Sequence, residues 1–184
     1  MDIVNTLLGM MWSDQIQHIS QQNQLSSEQT QSGLSQLIPV ILQGIVKSNQ
    51  TPEQVSAFDQ ALWQHGGELS NLGSINAQDG MKILGHLFGN KIDTVYQQAW
   101  QTLGINQDQS KGLLSYLAPI VMGLLSQTKQ QTGVSTQWLL GMISNQQQGG
   151  SMAGSILKGI LDKDGDGSYM DDLVQMGVNH LFKK

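Results

Sequence analysis

The stretch that decides the fold is Leu34-Ser35-Gln36-Leu37-Ile38-Pro39-Val40-Ile41-Leu42. It returns 80 residues later as Leu114-Ser115-Tyr116-Leu117-Ala118-Pro119-Ile120-Val121-Met122. Both stretches are apolar at helical spacing, and both carry proline at the same position. Because an interior proline removes a backbone hydrogen bond, each segment is predicted to be either one bent helix or two shorter helices that meet there.

The repetition extends well beyond these two stretches. With the offset of 80 residues, 12 of the first 65 positions are identical, and the apolar positions keep the same phase nearly throughout. This pattern predicts a tandem duplication, with copies at residues 1–66 and 81–146 joined by a short polar connection at 68–80. A helix–loop–helix at 151–184 is predicted to follow the second copy.

Local sequence signals indicate that each copy is helical. Three helix starts follow from capping patterns: Ser26 or Ser27 with Glu28, Asn106 with Asp108, and Thr51-Pro52-Glu53. No stretch alternates convincingly between apolar and polar residues, as a half-buried strand would. The predicted fold class is therefore all-α, a single multihelical domain over residues 1–184.

The composition excludes several classes of function. All nine basic residues are lysine, the net charge is −5, and five of the fourteen acidic residues lie in 162–172. Without arginine or a lysine cluster, the chain lacks the electrostatic footprint of a nucleic-acid-binding protein. The chain has no cysteine, which excludes disulfides, thiolate catalysis and cysteine-ligated metals. Residues 1–8 do not read as a signal peptide, and no apolar run reaches membrane-spanning length, so a cytoplasmic protein is expected.

A run near the C-terminus, Asp162-Lys163-Asp164-Gly165-Asp166-Gly167-Ser168, has the spacing of the first half of a helix–loop–helix calcium loop. In such a loop, carboxylates at positions 1, 3 and 5 point inward, and the glycine at position 6 allows the sharp turn. The standard loop ends with a bidentate glutamate at position 12, where this chain has Leu173. Asp172, or alternatively Asp171, is therefore expected to close a shortened loop.

The sequence thus predicts one calcium site. Its predicted ligands are Asp162, Asp164, Asp166, Ser168, Asp171 and Asp172. Five carboxylates this close repel one another unless a divalent cation neutralises them, and magnesium prefers fewer protein ligands. A single loop favours a structural role, since calcium-sensing loops normally come in pairs. The alternative is a solvated acidic turn in which Asp172 caps the last helix.

Other polar and aromatic residues give no catalytic constellation. There is no Gly-x-Ser-x-Gly elbow and no phosphate-binding loop, so no catalytic residue is predicted and the protein is expected not to be an enzyme. His86 and His180 lie in similar local sequences, which is interpreted as a repeated structural role rather than a metal pair. The tryptophans are interpreted as core anchors, with the exposure of one or two for a partner left open: Trp12, Trp63, Trp100 and Trp138.

Several of these motifs together resemble a known bacterial family. They are Leu7-Leu8-Gly9, Gly85-His86-Leu87-Phe88-Gly89, the stretch from Leu114 to Pro119, and the acidic loop with Asp171-Asp172. The chain resembles the YidB-like family, a domain of unknown function, over most of its length. The resemblance implies a bacterial origin and a small helical fold, and it assigns no activity or catalytic residue.

Three functions remain as hypotheses. The first is a non-enzymatic helical interaction or scaffold protein, with a structural calcium ion and a protein partner or self-association. The second is peripheral membrane association through residues 1–12, which are amphipathic but lack basic residues. The third is an enzyme that uses an acid pair or the calcium site, which would require a deep polar pocket with strongly shifted carboxyl groups.

Overall fold

The computed structural model describes residues 13–66 and 75–145, and within them it is helical without strands. In chain order the helices are α1 (Ser13–Asn23), α2 (Ser27–Ser48), α3 (Pro52–His65), α4 (Ala77–Phe88), α5 (Ile92–Leu103), α6 (Gln107–Thr132) and α7 (Thr136–Asn145), with a 3₁₀ turn, Gly89–Lys91, between α4 and α5. The all-α prediction is confirmed. None of the described helices is both long and apolar enough to cross a membrane.

The predicted helix starts are the observed ones. Ser26, Thr51 and Asn106 each accept a hydrogen bond from the backbone N–H three residues on, and a glutamine there returns a hydrogen bond to the capping residue's own N–H. These reciprocal pairs satisfy amide groups that the first helical turn leaves without partners. Pro52 follows at the first helical position of α3, where its missing N–H leaves no hydrogen bond unmade.

The two long helices α2 and α6 pack against each other and form the centre of the body. Pro39 lies inside α2 and Pro119 inside α6, and each helix continues through its proline. Of the two predicted arrangements, a single long helix that continues through the proline is therefore the observed one in both segments. Most of the core comes from these helices: Leu34, Leu37, Ile38, Val40, Ile41 and Ile45 in α2, and Leu113, Leu114, Leu117, Ile120, Val121, Leu124 and Leu125 in α6, each fully buried.

The shorter helices surround this central pair. Helix α4 packs against both α6 and α2, and α1 and α5 each contact both long helices. Helix α3 lies against α6, whereas α7 lies chiefly against α2. At Gly80 the backbone of α4 lies directly against α6, since a Cβ atom there would stand 1.7 Å from the backbone oxygen of Ser115.

One sequence prediction about the connection between the copies needs correction. The polar segment was expected to reach residue 80, but α4 begins at Ala77, and the Asn76 side chain caps it by accepting a hydrogen bond from the N–H of Gln78 at 2.9 Å. Residues 77–80 are helical because this cap outweighs the unfavourable helix propensity of Gly80. The predictions for residues 1–12 and for the helix–loop–helix at 151–184 lie outside the described residues.

Candidate functional site

The predicted calcium ligands, Asp162 to Asp172, lie outside the described residues. The same holds for His180, so the pairing of His86 with it is not described. Within residues 13–66 and 75–145, no group of three or more histidine, cysteine or acidic side chains is placed to hold a metal ion. The candidate binding features of the described body are therefore its grooves and its exposed aromatic side chains.

Of the three tryptophans in the described residues, two are exposed, which falls within the exposure of one or two that the sequence left open. The side chain of Trp63 on α3 is 66% exposed and that of Trp138 on α7 is 50% exposed. On α3 the buried residues are Phe58 and Leu62, one helical turn apart. Trp63 is one residue beyond this stripe, and a helix turns about 100° per residue, so its indole falls outside the buried face.

Trp63 forms one side of a groove of about 300 Å³ between the ends of α3 and α6. We call this the Trp63 groove; its lining residues are Leu62, Trp63, Ser126, Lys129, Gln130, Gly133 and Val134. Leu62 is only 1% exposed, so the groove has an apolar base. Ser126, Lys129 and Gln130 supply polar groups from α6, which makes this an apolar cleft with a polar side.

Glycine residues shape both ends of the Trp63 groove. Gly133 has a left-handed backbone (φ 68°), and its N–H donates to the carbonyl of Lys129 at 2.9 Å, which ends α6. Gly66 follows α3, and a Cβ atom there would stand 3.0 Å from the Ser126 hydroxyl oxygen. The end of α3 therefore lies close against α6, and the groove is already formed by two packed helices.

An ionic cluster fixes the position of Lys129 beside the groove. The carboxylate of Asp59 on α3 accepts hydrogen bonds from the Lys129 ammonium on α6 and from the Thr136 hydroxyl at the start of α7. The Lys129 side chain is 20% exposed and that of Asp59 is 36% exposed. These three side chains join three helices at one point, so the charge of Lys129 is held in place.

Three carboxyl groups of the described residues have a lowered pKa, which favours their ionised form. Hydrogen bonds from Lys129 and then from Thr136 hold the pKa of Asp59 below its ordinary value of 3.8. A hydrogen bond from Lys82 likewise lowers the pKa of Asp79, and backbone hydrogen bonding at Glu53 lowers the pKa of that carboxyl. A general acid working near neutral pH needs the opposite shift, a raised carboxyl pKa.

A second groove, of about 330 Å³, lies where α2 and α4 end. Its lining residues are Lys47, Ser48, Gln54, His86, Leu87, Phe88, Asn90 and Lys91. Lys47 lies in the last turn of α2, where its positive charge offsets the partial negative charge of a helix C-terminus. Lys47 thus has a structural explanation, and the Trp63 groove, which carries an exposed indole, is the stronger candidate.

Comparison with known proteins gives a family and no function. Residues 5–130 match the model of a family described as "Bacterial protein of unknown function (DUF937)". The chain belongs to this family. No curated protein and no solved structure matches it. The bacterial origin and the unknown function that the resemblance implied are confirmed, whereas the closer likeness to YidB-like proteins stays a prediction.

The DUF937 match covers α1 to α5 and nearly all of α6. It includes Trp63 and the part of α6 that carries Ser126, Lys129 and Gln130. It ends before α7 and before the predicted calcium loop at 162–172. The main walls of the Trp63 groove therefore lie in the part of the chain that matches the family, and residues 162–172 lie outside that part.

Sequence reasoning did not single out Asp59, Lys129 or Thr136 as partners. Asp59 and Lys129 are 70 residues apart, and nothing local to either residue indicates that their helices touch. Of the residues at this site, only the exposure of Trp63 could have been predicted from the sequence. A wheel of α3 places Phe58 and Leu62 together and leaves Trp63 off their stripe.

Proposed function

We propose that this DUF937 protein is a non-enzymatic interaction protein and that the Trp63 groove receives an apolar side chain from a protein partner. The observation that carries the proposal is the 66% exposed Trp63 beside a preformed cleft with Leu62 at its base. Tryptophan at the edge of an apolar cleft is typical of residues that dominate binding energy in protein interfaces.

The size of the exposed surface fits such a role. A buried aromatic side chain removes roughly 150–250 Å² from water, at about 25 cal/mol per Å². Because two thirds of Trp63 is exposed, covering it would contribute on the order of 3–4 kcal/mol before the entropy cost of association. One anchor of this size is consistent with a transient partner that adds a polar contact at the exposed Gln130.

The polar side of the groove restricts the chemistry of the partner. Gln130 is exposed, and its amide donates to the hydroxyl of Ser126 at 3.2 Å. Ser126 itself is only 3% exposed, so Gln130 is the group that can bond to a partner's backbone. Lys129 already pairs with Asp59, which leaves less net charge to attract an acidic partner. We therefore expect an uncharged amphipathic segment whose apolar residue enters the groove.

The test compares Trp63→Ala with Trp138→Ala, since Trp138 is also exposed but lies outside the groove lining. Tagged wild-type protein is used to isolate a partner from a bacterial extract, and the partner is then purified and titrated into each variant by calorimetry. Affinity should fall at least tenfold with Trp63→Ala and stay within twofold with Trp138→Ala. Equal affinities for the two variants would overturn the proposal.

Sedimentation of the protein alone distinguishes the case in which the partner is a second copy. A concentration-dependent dimer in the wild type that Trp63→Ala abolishes would identify self-association through the groove. A dimer that persists in Trp63→Ala would show that the chains associate through a surface other than the Trp63 groove.

The proposal includes a structural calcium ion at the C-terminus. Its support is the spacing of Asp162, Asp164 and Asp166 with Ser168, and the presence of Asp171 and Asp172 where the loop must close. Calcium bound there would hold the two predicted helices of 151–184 together. Its test is the effect of calcium on the stability of the whole chain.

A further inference from the structure

The helices of the body fall into two sets of three with the same spacing. Helix α6 begins 80 residues after α2, and α5 and α7 begin within four residues of the same offset from α1 and α3. The counterpart of α4 would fall on residues up to 8, outside the described part of the chain. The repeat predicted from the sequence thus has a counterpart in the order and starting positions of the helices.

The agreement extends to the backbone between the first two helices of each set. Gln24 and Gly104 occupy the same repeat position, and both have a left-handed backbone, with φ of 53° and 63°. The residue after each of them donates its N–H to the carbonyl five residues back, from Leu25 to Ser20 at 2.9 Å and from Ile105 to Trp100 at 3.2 Å. A left-handed conformation is uncommon for glutamine, so its recurrence at this position is not explained by local preference.

The hydrogen bonds that open the long helices also repeat. Ser26 pairs with Gln29, and Asn106 pairs with Gln109, in the same reciprocal cap. A fully buried hydroxyl follows at the next position of each helix. Thr30 accepts a hydrogen bond from the Ser20 hydroxyl, and Ser110 donates to the carbonyl of Tyr96.

The two sets are interlocked. Helix α3 of the first set lies on α6, the long helix of the second, and α7 of the second lies on α2, the long helix of the first. Where α2 meets α6, a Cβ atom on Gly33 would stand 2.7 Å from Leu113, the residue at the same repeat position. Contact between equivalent residues is expected near a local two-fold axis.

We propose that the described body is an intramolecular dimer, in which two copies of one helical unit each place their last helix on the long helix of the other. Units of this size are marginal alone, because a chain near 60 residues buries only about 60% of its surface. The contacts that α2 and α3 make with α6 therefore form an obligate interface. Each half of the body needs the other half to cover this surface. This inference stands independently of the proposed function.

The two equivalent contacts differ, and only one of them carries the Trp63 groove. At the offset of 80 residues, Asp59 and Trp63 of α3 fall on Leu139 and Ile143 of α7, each 1% exposed. The same offset places the buried Phe58 of α3 on Trp138, which is 50% exposed. Helices α3 and α7 therefore turn different faces toward the body, and each carries one exposed tryptophan.

The test keeps the whole chain and cuts it once. Residues 68–74 are replaced by a protease recognition sequence, and the purified protein is cleaved under native conditions. We expect the two pieces to elute together, separate only in denaturant, and reassociate when the denaturant is diluted. Pieces that separate in native buffer and each keep their helical circular dichroism would overturn the proposal.

Single substitutions in the cleaved protein test the exchange of helices. Leu62→Ala on α3 and Ile143→Ala on α7 each remove a side chain from the shared core, and each should weaken the association of the two pieces at least tenfold. Gln64→Ala, on the exposed side of α3, is the control and should change the affinity less than twofold. If Leu62→Ala lowers the melting temperature of the uncut chain but leaves the affinity of the pieces unchanged, α3 does not hold the halves together.

Discussion

At the scale of single residues, the Asp59 cluster is the clearest electrostatic feature of the described body. Its carboxylate joins Lys129 and Thr136 across α3, α6 and α7. A hydrogen-bonded carboxylate of this kind stabilises the folded state through its ionised form, so its contribution depends on pH. Because the side chain is 36% exposed, solvent screens the pair and limits the gain to about 1 kcal/mol.

Asp59→Asn should therefore lower the free energy of unfolding at pH 7 by up to about 1 kcal/mol. The pKa of Asp59 is lowered on folding, so its contribution is present above the unfolded value of 3.8 and is lost as pH falls through the lower folded value. Urea unfolding of wild type and variant at pH 7, 5 and 3 checks this. The difference should be full at pH 7 and 5 and smaller at pH 3.

Asp93→Asn is the control, since Asp93 is exposed and takes no part in this cluster. It should change the free energy of unfolding by no more than about 0.5 kcal/mol, as is usual for surface substitutions. An Asp59→Asn effect that stays constant down to pH 3 would show that lost packing, rather than lost charge, causes it.

At the scale of helices, the contact of α4 with α6 depends on the absence of a side chain at Gly80. A Cβ atom there would stand 1.7 Å from the Ser115 oxygen and 2.6 Å from its carbonyl carbon. Both are backbone atoms of a buried helix and cannot move aside as a flexible side chain would. A methyl group at this position must push the two helices apart.

Gly80→Ala should therefore destabilise the protein by at least about 2–3 kcal/mol, the upper part of the range for overpacking. Gly85→Ala is the matched control on the same helix, because a Cβ there meets nothing within 4 Å. Alanine exceeds glycine in helix propensity by about 1 kcal/mol, so Gly85→Ala should be neutral or stabilising. Denaturant unfolding measures both variants, and equal effects at the two sites would contradict the close packing of α4 on α6.

Helix positions were predictable to a larger extent than helix contacts. The capping residues Ser26, Thr51 and Asn106 depend on neighbours within three or four positions, and the sequence displays that pattern directly. The pairing of α3 with α6 depends instead on how helices far apart in the chain cross. The sequence therefore left open which one or two of the tryptophans are exposed, since a tryptophan is buried or exposed according to the neighbour its helix meets.

At the scale of the whole molecule, the body is organised by its apolar core, whereas the acidic segment at 162–172 is dominated by its charge. The body combines two interlocked sets of helices that bury one continuous core. The charge is concentrated elsewhere, since five of the fourteen acidic residues of the chain lie in 162–172. At neutral pH these carboxylates repel one another, and only a bound cation or solvent can relieve that repulsion. Calcium should therefore act on the stability of the chain through this segment.

Calcium titrated into chelator-treated protein should bind with measurable heat and raise the melting temperature. At a free calcium concentration 100 times its Kd, a ligand that binds only the folded state stabilises by about 2.7 kcal/mol, which corresponds to a rise of roughly 5–10 °C in a chain of this size. Asp164→Asn combined with Asp166→Asn should abolish both effects, whereas Asp93→Asn should leave both intact. Absence of binding with an unchanged melt in the wild type would reduce the segment to a solvated turn. The Trp63 groove would then be the remaining candidate site, because its binding test does not depend on the metal.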